Sequence, residues 1–298
     1  MLVKVLASGI CGSDVMEWYR IKKAPRVLGH EIAGVITESN SARFKAGQRV
    51  FVSHHVPCNK CKYCLAGDQT ACETLHKGNY DPGGFSEFIR VPAINVELGT
   101  YLLPDNVSDE EGTIIEPLAC VLRGQKVIGV KAGQTVLVLG SGFSGLLNIK
   151  AAKLLGARVI ATDVNEFKLQ QARLWGADEV IDAATDLQLK ADRVIVCTVA
   201  PQATRQAFDC VDRKGVILFF AISENKIEVP SEDFWRNEIT ITSSYGAAPV
   251  DLEASLNLIK TRKIEVGKLV THRFPLTGIQ KAFEQVIKGK DSIKVIIK

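Results

Sequence analysis

The sequence predicts an α/β fold in which a doubly wound parallel sheet is joined to a mainly β domain. Two patterns indicate this. From about residue 131 onward, apolar β-branched runs alternate with helical segments, as is typical of βαβ units with a parallel sheet. Residues 1–115 instead contain short β-like runs separated by glycine and proline. A chain of 298 residues has room for about two such domains.

The individual elements follow from hydrophobic periodicity. The predicted strands of the first region are Leu2–Ala7, Glu31–Thr37, Arg49–Ser53 and Gly84–Val91. Those of the second region are Gln134–Leu139, Arg158–Thr162, Glu179–Ile181, Arg193–Val196, Gly215–Ala221 and Ile239–Ser243. Helices are predicted at Leu146–Leu155, Glu166–Trp175 and Gly278–Lys288, before a last strand at Ser292–Lys298.

The composition indicates a globular protein with a small-molecule partner. With 46% hydrophobic and 23% charged residues, the chain is too apolar to be disordered. Its net charge of +4 comes from scattered lysines and arginines, which favours neither nucleic-acid nor membrane binding. No apolar run reaches the roughly 18–20 residues of a membrane helix. No signal peptide precedes the first strand, so we expect a cytoplasmic location.

Four of the eight cysteines form a compact cluster at Cys58, Cys61, Cys64 and Cys72. Thiolates at this C-x2-C-x2-C-x7-C spacing can converge on one tetrahedral Zn²⁺. The alternatives are disulfides or free thiols, and disulfides rarely persist in a cytoplasmic protein. Four sulfur ligands leave no coordination position for a substrate. The cluster therefore predicts a structural zinc that holds the loop 58–72 together.

A second set of possible metal ligands is dispersed along the chain. Cys11 lies among polar residues and is followed by the pair His30 and Glu31, while Glu116 supplies a further carboxylate. Three protein ligands with an exchangeable water form an open, catalytic zinc site. The spacing alone leaves open the alternative that these side chains are structural. The remaining cysteines lie in strand-like or helix-like runs and are expected to be buried small hydrophobes.

A glycine motif stands between a predicted strand and a predicted helix. Residues 140–145 read G-x-G-x-x-G, with Phe143 and Ser144 between the last two glycines. Gly140 permits the tight turn, Gly142 lets the backbone approach a pyrophosphate, and Gly145 allows the helix to pack closely on the strand. The N-terminus of that helix then faces the phosphate charge. The motif in this context predicts a dinucleotide site rather than a simple strand end.

Asp163 ends the next strand, which is where dinucleotide-binding folds carry the acidic residue that contacts the adenosine ribose. A carboxylate at this position accepts hydrogen bonds from the ribose hydroxyls and repels a 2′-phosphate. Lys168 follows within the next helix and offers a cation that opposes this preference. On balance the sequence predicts NAD as the cofactor rather than NADP.

Taken together, these motifs resemble one family. Along the chain stand Cys11-Gly-Ser-Asp14, Gly29-His-Glu31, the four-cysteine loop, Pro82-Gly-Gly-Phe-Ser-Glu-Phe88, Glu116-Pro-Leu118 and the Gly140 motif. Their combination and order resemble the zinc-dependent medium-chain alcohol dehydrogenases, most closely the sorbitol (polyol) and threonine dehydrogenase branch. The resemblance covers essentially the whole chain.

The resemblance implies a domain organisation. A GroES-like catalytic domain would comprise residues 1–122, with the structural-zinc loop inside it, and residues 265–298, where the chain returns to it. A Rossmann NAD-binding domain would comprise residues 123–264. Members of the family usually begin with further residues ahead of the first strand, so here either the start of the gene is misplaced, the chain has been shortened, or the catalytic domain lacks one sheet edge.

The resemblance also implies roles for the residues of the dispersed set. Cys11 and His30 match the catalytic zinc ligands, with Glu31 or Glu116 on or near the metal, and two zinc ions are expected per chain. Asp14 matches the carboxylate that orients the histidine ligand.

Further roles concern proton transfer and the coenzyme. Ser13 matches the hydroxyl that takes the proton of the substrate alcohol. Asp163 and Lys168 match the ribose-binding pair, and Lys294 matches a basic residue that reaches the coenzyme phosphate. Many members carry a histidine at the position of Met16, which cannot hold a proton, so the proton path beyond Ser13 stays open.

The sequence thus favours a zinc- and NAD-dependent oxidoreductase that interconverts a secondary alcohol and its ketone. The substrate class is a polyol, a sugar alcohol or a hydroxy-amino acid, and the sequence does not separate these. The alternative is a non-catalytic or weakly active dinucleotide-binding protein of the same fold. A homodimer or homotetramer is expected, with Ile239–Ser243 as a strand that could pair between subunits.

Overall fold

The computed structural model describes all residues, from 1 to 298. Its strands, in chain order, are β1 (Leu2–Gly9), β2 (Glu31–Glu38), β3 (Arg49–Ser53), β4 (Phe88–Arg90), β5 (Thr100–Leu102), β6 (Thr135–Leu139), β7 (Arg158–Asp163), β8 (Glu179–Asp182), β9 (Ala191–Val196), β10 (Val211–Phe219), β11 (Thr240–Ser243), β12 (Val270–Phe274) and β13 (Lys294–Ile297).

The α-helices are short in the first hundred residues and longer afterwards. In chain order they are α1 (Glu17–Arg20), α2 (Lys62–Leu65), α3 (Glu73–Lys77), α4 (Ala93–Leu98), α5 (Asp109–Gly112), α6 (Ile115–Val127), α7 (Phe143–Leu154), α8 (Glu166–Leu174), α9 (Pro201–Cys210), α10 (Ser231–Arg236), α11 (Pro249–Lys260) and α12 (Ile279–Lys288). None of these helices combines the length and the apolar character needed to span a lipid bilayer.

The chain divides into two compact units. Unit 1 comprises residues 1–119 and 246–298, and unit 2 comprises residues 120–245. This division differs from the predicted boundary at 264, because α11 is tied into unit 1. Within that unit, Ser255 Oγ donates to the carbonyl of Ile115 at 2.7 Å, and Asn106 Nδ2 donates to the carbonyl of Lys260 at 2.9 Å.

Unit 1 is built on a seven-stranded sheet with the order β12-β13-β1-β2-β3-β5, in which β4 also pairs with β1. Most of its pairs are antiparallel, and β12 and β13 are parallel. The strand β1 pairs with β2 along its length, with β4 at its start and with β13 at its end. The first strand is therefore paired with other strands along its length.

The arrangement of unit 1 brings distant segments together at the end of β1. Gly9 is paired with Glu31 of β2 and also with Ile296 of β13. The loop that follows β1 therefore starts beside the first residue of β2 and beside the C-terminal strand. Buried apolar side chains, including Ile10, Val295 and Ile297, pack under α12 at this place.

Unit 2 is a parallel sheet with the order β11-β10-β9-β6-β7-β8. All of its pairs are parallel, and a helix connects each strand to the next except between β8 and β9, which a loop joins. The strand order reverses between β6 and β9, which is the position where open α/β sheets bind ligands beyond the carboxyl ends of their strands. The central strands are almost fully buried, as expected for a sheet covered on both faces. This topology confirms the predicted α/β class with a doubly wound parallel sheet.

Candidate active site

The first candidate site begins with the turn that follows β1. Residues Gly12–Val15 form one 3-10 turn, capped at its start by Cys11. Cys11 Sγ accepts hydrogen bonds from the backbone N–H of Ser13 at 3.5 Å and from Ser13 Oγ at 3.3 Å. In return, Asp14 Oδ2 accepts from the backbone N–H of Cys11 at 3.1 Å. The turn thus holds a thiol, a hydroxyl and a carboxylate in one fixed arrangement.

His30 and Glu31 lie close to this turn because β2 pairs with β1, with Glu31 opposite Gly9. One ligand atom each of Cys11, His30 and Glu31 lies within 4.8 Å of the other two. Sulfur, nitrogen and oxygen donors at this separation suit zinc, and they would leave a fourth position for a substrate oxygen. The residues present therefore fit a catalytic zinc.

Asp14 orients the ring of His30 and raises its pKa. Its Oδ1 atom lies 3.4 Å from His30 Nδ1, so the other ring nitrogen is the one available to a metal. Burial opposes the charged form of His30, but the Asp14 carboxylate outweighs it and raises the pKa of the imidazole well above its ordinary value. Burial likewise opposes ionisation of Asp14, yet His30 and Arg20 keep its pKa below the usual range. A carboxylate behind a histidine ligand fixes the ring and makes it a better donor.

Glu31 is held by a buried lysine. Its carboxylate forms an ion pair with Lys294 Nζ, which also donates to the carbonyl of Ile10 at 3.1 Å. Both side chains of the pair are 1% exposed. The pair needs a glycine opposite, since a Cβ on Gly9 would lie 2.3 Å from Glu31 Oε2.

Lys294 is predicted from the family resemblance to reach a coenzyme phosphate, and this stays a prediction. In the structure its ammonium is buried in unit 1 and contacts a carboxylate and a carbonyl. The geometry makes Lys294 the counter-ion of Glu31. The pair joins residues 263 positions apart, and nothing in the sequence spacing indicates it.

Glu116, the other predicted carboxylate, lies in the first turn of α6 and is half-buried. It is not part of the close group formed by Cys11, His30 and Glu31. Together with Asp14 and Glu31 it contributes to a raised pKa of Tyr80, for which burial is the main cause. Of the two predicted carboxylates, the structure brings Glu31 rather than Glu116 into the group of possible ligands.

The second candidate site is the cysteine loop. The four sulfur atoms of Cys58, Cys61, Cys64 and Cys72 lie within 4.8 Å of one another. Cys58 N donates to Cys72 Sγ at 3.3 Å, and the sulfur atoms of Cys61 and Cys64 are 3.6 Å apart. Burial opposes ionisation of Cys72, but backbone N–H groups outweigh it and lower its pKa to about 6, whereas burial and the neighbouring thiols raise the pKa of Cys64 to about 12. Four sulfur atoms at these separations fit a closed tetrahedral zinc site.

The glycine motif of unit 2 forms the third site. Gly140 has a φ of +93°, and Gly142 caps the start of α7. A Cβ on Gly145 would lie 1.9 Å from the carbonyl oxygen of Gly140, so only glycine fits there. Phe143 and Ser144 form the first turn of α7, whose N-terminus follows the turn directly. These features match a backbone prepared to approach a pyrophosphate.

Asp163 is positioned by that same turn. Its carboxylate accepts from the backbone N–H of Ser141 at 2.9 Å and from that of Asn165 at 3.0 Å. Asn165 in turn caps α8 by accepting from the backbone N–H of Lys168 at 3.2 Å. The carboxylate thus ends β7 beside the glycine turn, while Lys168 lies half-buried in the first turn of α8.

Three further residues lie beside the first site and were not predicted from the sequence. Arg20 Nη2 donates to Ser13 Oγ and lies 3.1 Å from Asp14 Oδ1. The ring of His54 lies 4.9 Å from that of His30, and its buried Nδ1 has no hydrogen-bond partner. The buried hydroxyl of Tyr80 also has none. Two features of the sequence could have indicated Arg20 and His54: the basic run at residues 20–26 and the histidine pair before Cys58.

Comparison with known proteins gives two family matches. The profile described as the alcohol dehydrogenase GroES-like domain matches residues 1–100. The profile described as zinc-binding dehydrogenase matches residues 145–261. The two matches fall on the region with the cysteine sites and on the region with the glycine motif.

Individual relatives cover nearly the whole chain. It is 31% identical to sorbitol dehydrogenase of Halalkalibacterium halodurans, over 99% of this chain and 90% of that protein. It is 29% identical to L-galactonate-5-dehydrogenase of Escherichia coli, over 99% of this chain and 91% of that protein. Among solved structures, a zinc-binding dehydrogenase from Sinorhizobium meliloti bound to NADP superposes with a TM-score of 0.87 at 27% identity, covering 100% of this chain and 91% of that one.

Proposed function

The chain belongs to the zinc-binding alcohol dehydrogenase family, and we propose that it oxidises secondary alcohols with NAD at the site formed by Cys11, His30 and Glu31. The observation that carries this assignment is the convergence of those three ligand atoms within 4.8 Å, with Ser13 Oγ 3.3 Å from Cys11 Sγ. Zinc held there would supply a Lewis acid that lowers the pKa of an alcohol, and NAD would supply the acceptor for the hydride.

The side chains of this site have distinct tasks. Cys11 and His30 would hold the metal, and Asp14 keeps the imidazole oriented through the 3.4 Å contact between Oδ1 and Nδ1. Glu31 supplies the third donor from the start of β2, and Lys294 balances its charge. The four cysteines of the loop hold a second zinc without a position for substrate.

Ser13 accepts the proton that the alcohol loses. Its hydroxyl donates to Cys11 Sγ and accepts from Arg20 Nη2, which leaves one lone pair for the hydroxyl of the substrate. Arg20 is always charged and carries no proton onward. Its guanidinium instead stabilises the negative charge that forms on Ser13 Oγ when the hydroxyl releases its own proton to water, before Oγ takes up the proton of the alcohol. A site that works in this way would not need a histidine at the position of Met16.

The dinucleotide is bound by unit 2. The turn at Gly140–Gly145 and the N-terminus of α7 hold the pyrophosphate, and Asp163 accepts from the ribose hydroxyls. Lys168 lies on the first turn of α8, where its backbone N–H donates to Asn165 Oδ1. We assign NAD rather than NADP because the carboxylate repels a 2′-phosphate.

The location and the assembly also belong to the proposal. Both zinc sites need reduced thiols, which the cytoplasm maintains, and we place the protein there. The strand β11 lies at the edge of the parallel sheet and could pair with its copy in a homodimer or homotetramer.

The test is NAD reduction at 340 nm over a panel of secondary alcohols, with protein of measured zinc content. We expect turnover that disappears in Ser13→Ala and returns in Ser13→Thr, which restores a hydroxyl. NADH binding with no turnover on any alcohol would instead favour the alternative of a non-catalytic dinucleotide-binding protein.

A further inference from the structure

The loop after the first candidate site concentrates positive charge on one aromatic ring. Between Tyr19 and Gly29 the chain carries four basic residues and no acidic one. Two of these cations lie on Tyr19: the guanidinium carbon of Arg20 and Nζ of Lys23 are each 4.9 Å from the ring centroid. We call these two residues the Tyr19 cation pair. Two cations held on one ring repel each other, and an anion that binds near them would be attracted by both.

Arg20 is the member of the pair that contacts the first candidate site, through Ser13. Its side chain is 15% exposed, and Nε donates to the carbonyl of Ser13 at 2.9 Å while Nη2 donates to Ser13 Oγ. Nη1 has no partner. A mostly buried guanidinium therefore presents an open donor two hydrogen bonds from Cys11 Sγ.

The protein itself does not neutralise the pair. Asp14 is the one carboxylate within 4 Å of either cation, and it also faces His30 at 3.4 Å. Lys23 has no carboxylate within that distance. Burial is the main cause of the lowered pKa values of His54 and His55, the neighbouring histidines come next, and Lys23 lowers both further.

A polar group inside the same region also lacks a partner. His54 is buried beside His30, and its Nδ1 makes no hydrogen bond. Buried polar atoms without partners are uncommon in folded proteins and are often satisfied by a ligand or water. An unpaired imidazole nitrogen near two cations suits a ligand that brings both hydroxyl and anionic oxygen atoms.

We propose that the Tyr19 cation pair binds a carboxylate of the substrate, so that the enzyme acts on anionic hydroxy acids rather than on neutral polyols. This rests on the proposed function and names its substrate class. The open Nη1 of Arg20 donates to the carboxylate, and Lys23 contributes a second positive charge. A zwitterionic hydroxy-amino acid is disfavoured because its ammonium would enter the same positive field.

Matched substrates test this directly. 3-Hydroxybutyrate differs from 1,3-butanediol, and L-idonate from L-iditol, by a carboxylate in place of a hydroxymethyl group. We expect kcat/KM for each acid to exceed that of its neutral partner by about tenfold or more, as a charged hydrogen bond would give. KM for the acids should rise with salt while KM for the neutral alcohols stays constant.

The variant Lys23→Met removes the charge and keeps an apolar stem on Tyr19. We expect it to lower kcat/KM for the acids about fivefold and to leave the neutral alcohols unchanged. Lys22→Met is the matched control, since Lys22 is an exposed neighbour that does not contact the ring. An equal effect of both variants would overturn the proposal in favour of general charge steering.

A binding measurement separates this inference from the proposed function. 3-Hydroxy-3-methylbutyrate is a tertiary alcohol and cannot be oxidised, so calorimetry reports its binding without turnover. Binding that weakens in Lys23→Met but not in Lys22→Met supports the inference even if no alcohol is oxidised. Turnover of the neutral alcohols with no preference for the acids overturns the inference and leaves the proposed function standing.

Discussion

Lys294 and Glu31 form an ion pair that is almost completely removed from solvent, behind the group of possible zinc ligands. Taking one partner away would leave the other charge buried and unpaired, which costs about 3–5 kcal/mol. We therefore expect Lys294→Met to lower the free energy of unfolding by that amount, measured by urea denaturation. The double variant Glu31→Gln, Lys294→Met should recover most of the loss. A single variant as stable as the parent would show that Glu31 finds another partner.

Asp14 should strengthen zinc binding at the first site but not in the cysteine loop. Asp14→Asn keeps the shape and removes the charge that faces His30, so zinc affinity there should fall about 10–100-fold. Competition with a chelator measures this, and the parent and the variant should both retain the loop zinc. Unchanged release of the first zinc would contradict a positioning role for Asp14.

The loop zinc should stabilise unit 1. Cys72→Ser removes one of four ligands, so the zinc content should fall by about one ion per chain and the melting temperature should fall. Cys210→Ser is the control, because Cys210 is a buried thiol in α9 outside both cysteine sites. A zinc content of two ions per chain in Cys72→Ser would contradict the four-sulfur site.

Asp163 should set the preference between coenzymes. Asp163→Ser removes the repulsion of a 2′-phosphate and the acceptor for the ribose, so the ratio of kcat/KM for NAD to that for NADP should fall by about tenfold or more. Asp182→Ser is a matched control, since it alters the carboxylate that ends the neighbouring strand β8. An unchanged ratio would place the selection of coenzyme elsewhere.

Because of Glu110, the free energy of unfolding should fall at acidic pH. Its carboxylate accepts two hydrogen bonds from Arg273, each 2.7 Å long, and Arg273 with Lys298 lowers its pKa to about 2. A carboxyl with a lowered folded-state pKa stabilises the protein above its unfolded pKa of about 4.3, and this contribution is lost as the pH falls toward 2.

The size of that effect is modest because Arg273 and Lys298 are about half-exposed. We expect Glu110→Gln to lose about 1 kcal/mol at pH 7 and almost nothing near pH 2, measured by urea denaturation at each pH. A loss that is equal at both pH values would show that packing, and not the charge, is what the substitution removes.

The sequence was most informative where function depends on residues close together in the chain. The spacing of Cys58, Cys61, Cys64 and Cys72 indicated one cluster, and the structure brings all four sulfur atoms together. The glycine motif indicated a turn that opens a helix, and α7 begins there. Within a dozen or so residues, local geometry leaves few ways to arrange the side chains, so the pattern alone carries the prediction.

The tertiary structure decided what depends on which strands become neighbours. Because β13 lies beside β1, Lys294 reaches Glu31, a contact that no sequence motif indicates. The close approach of the His54 ring to the His30 ring likewise depends on the pairing of β2 with β3. A charged side chain takes the partner that compensates its loss of water, and only the packed arrangement of the chain determines which partner is within reach.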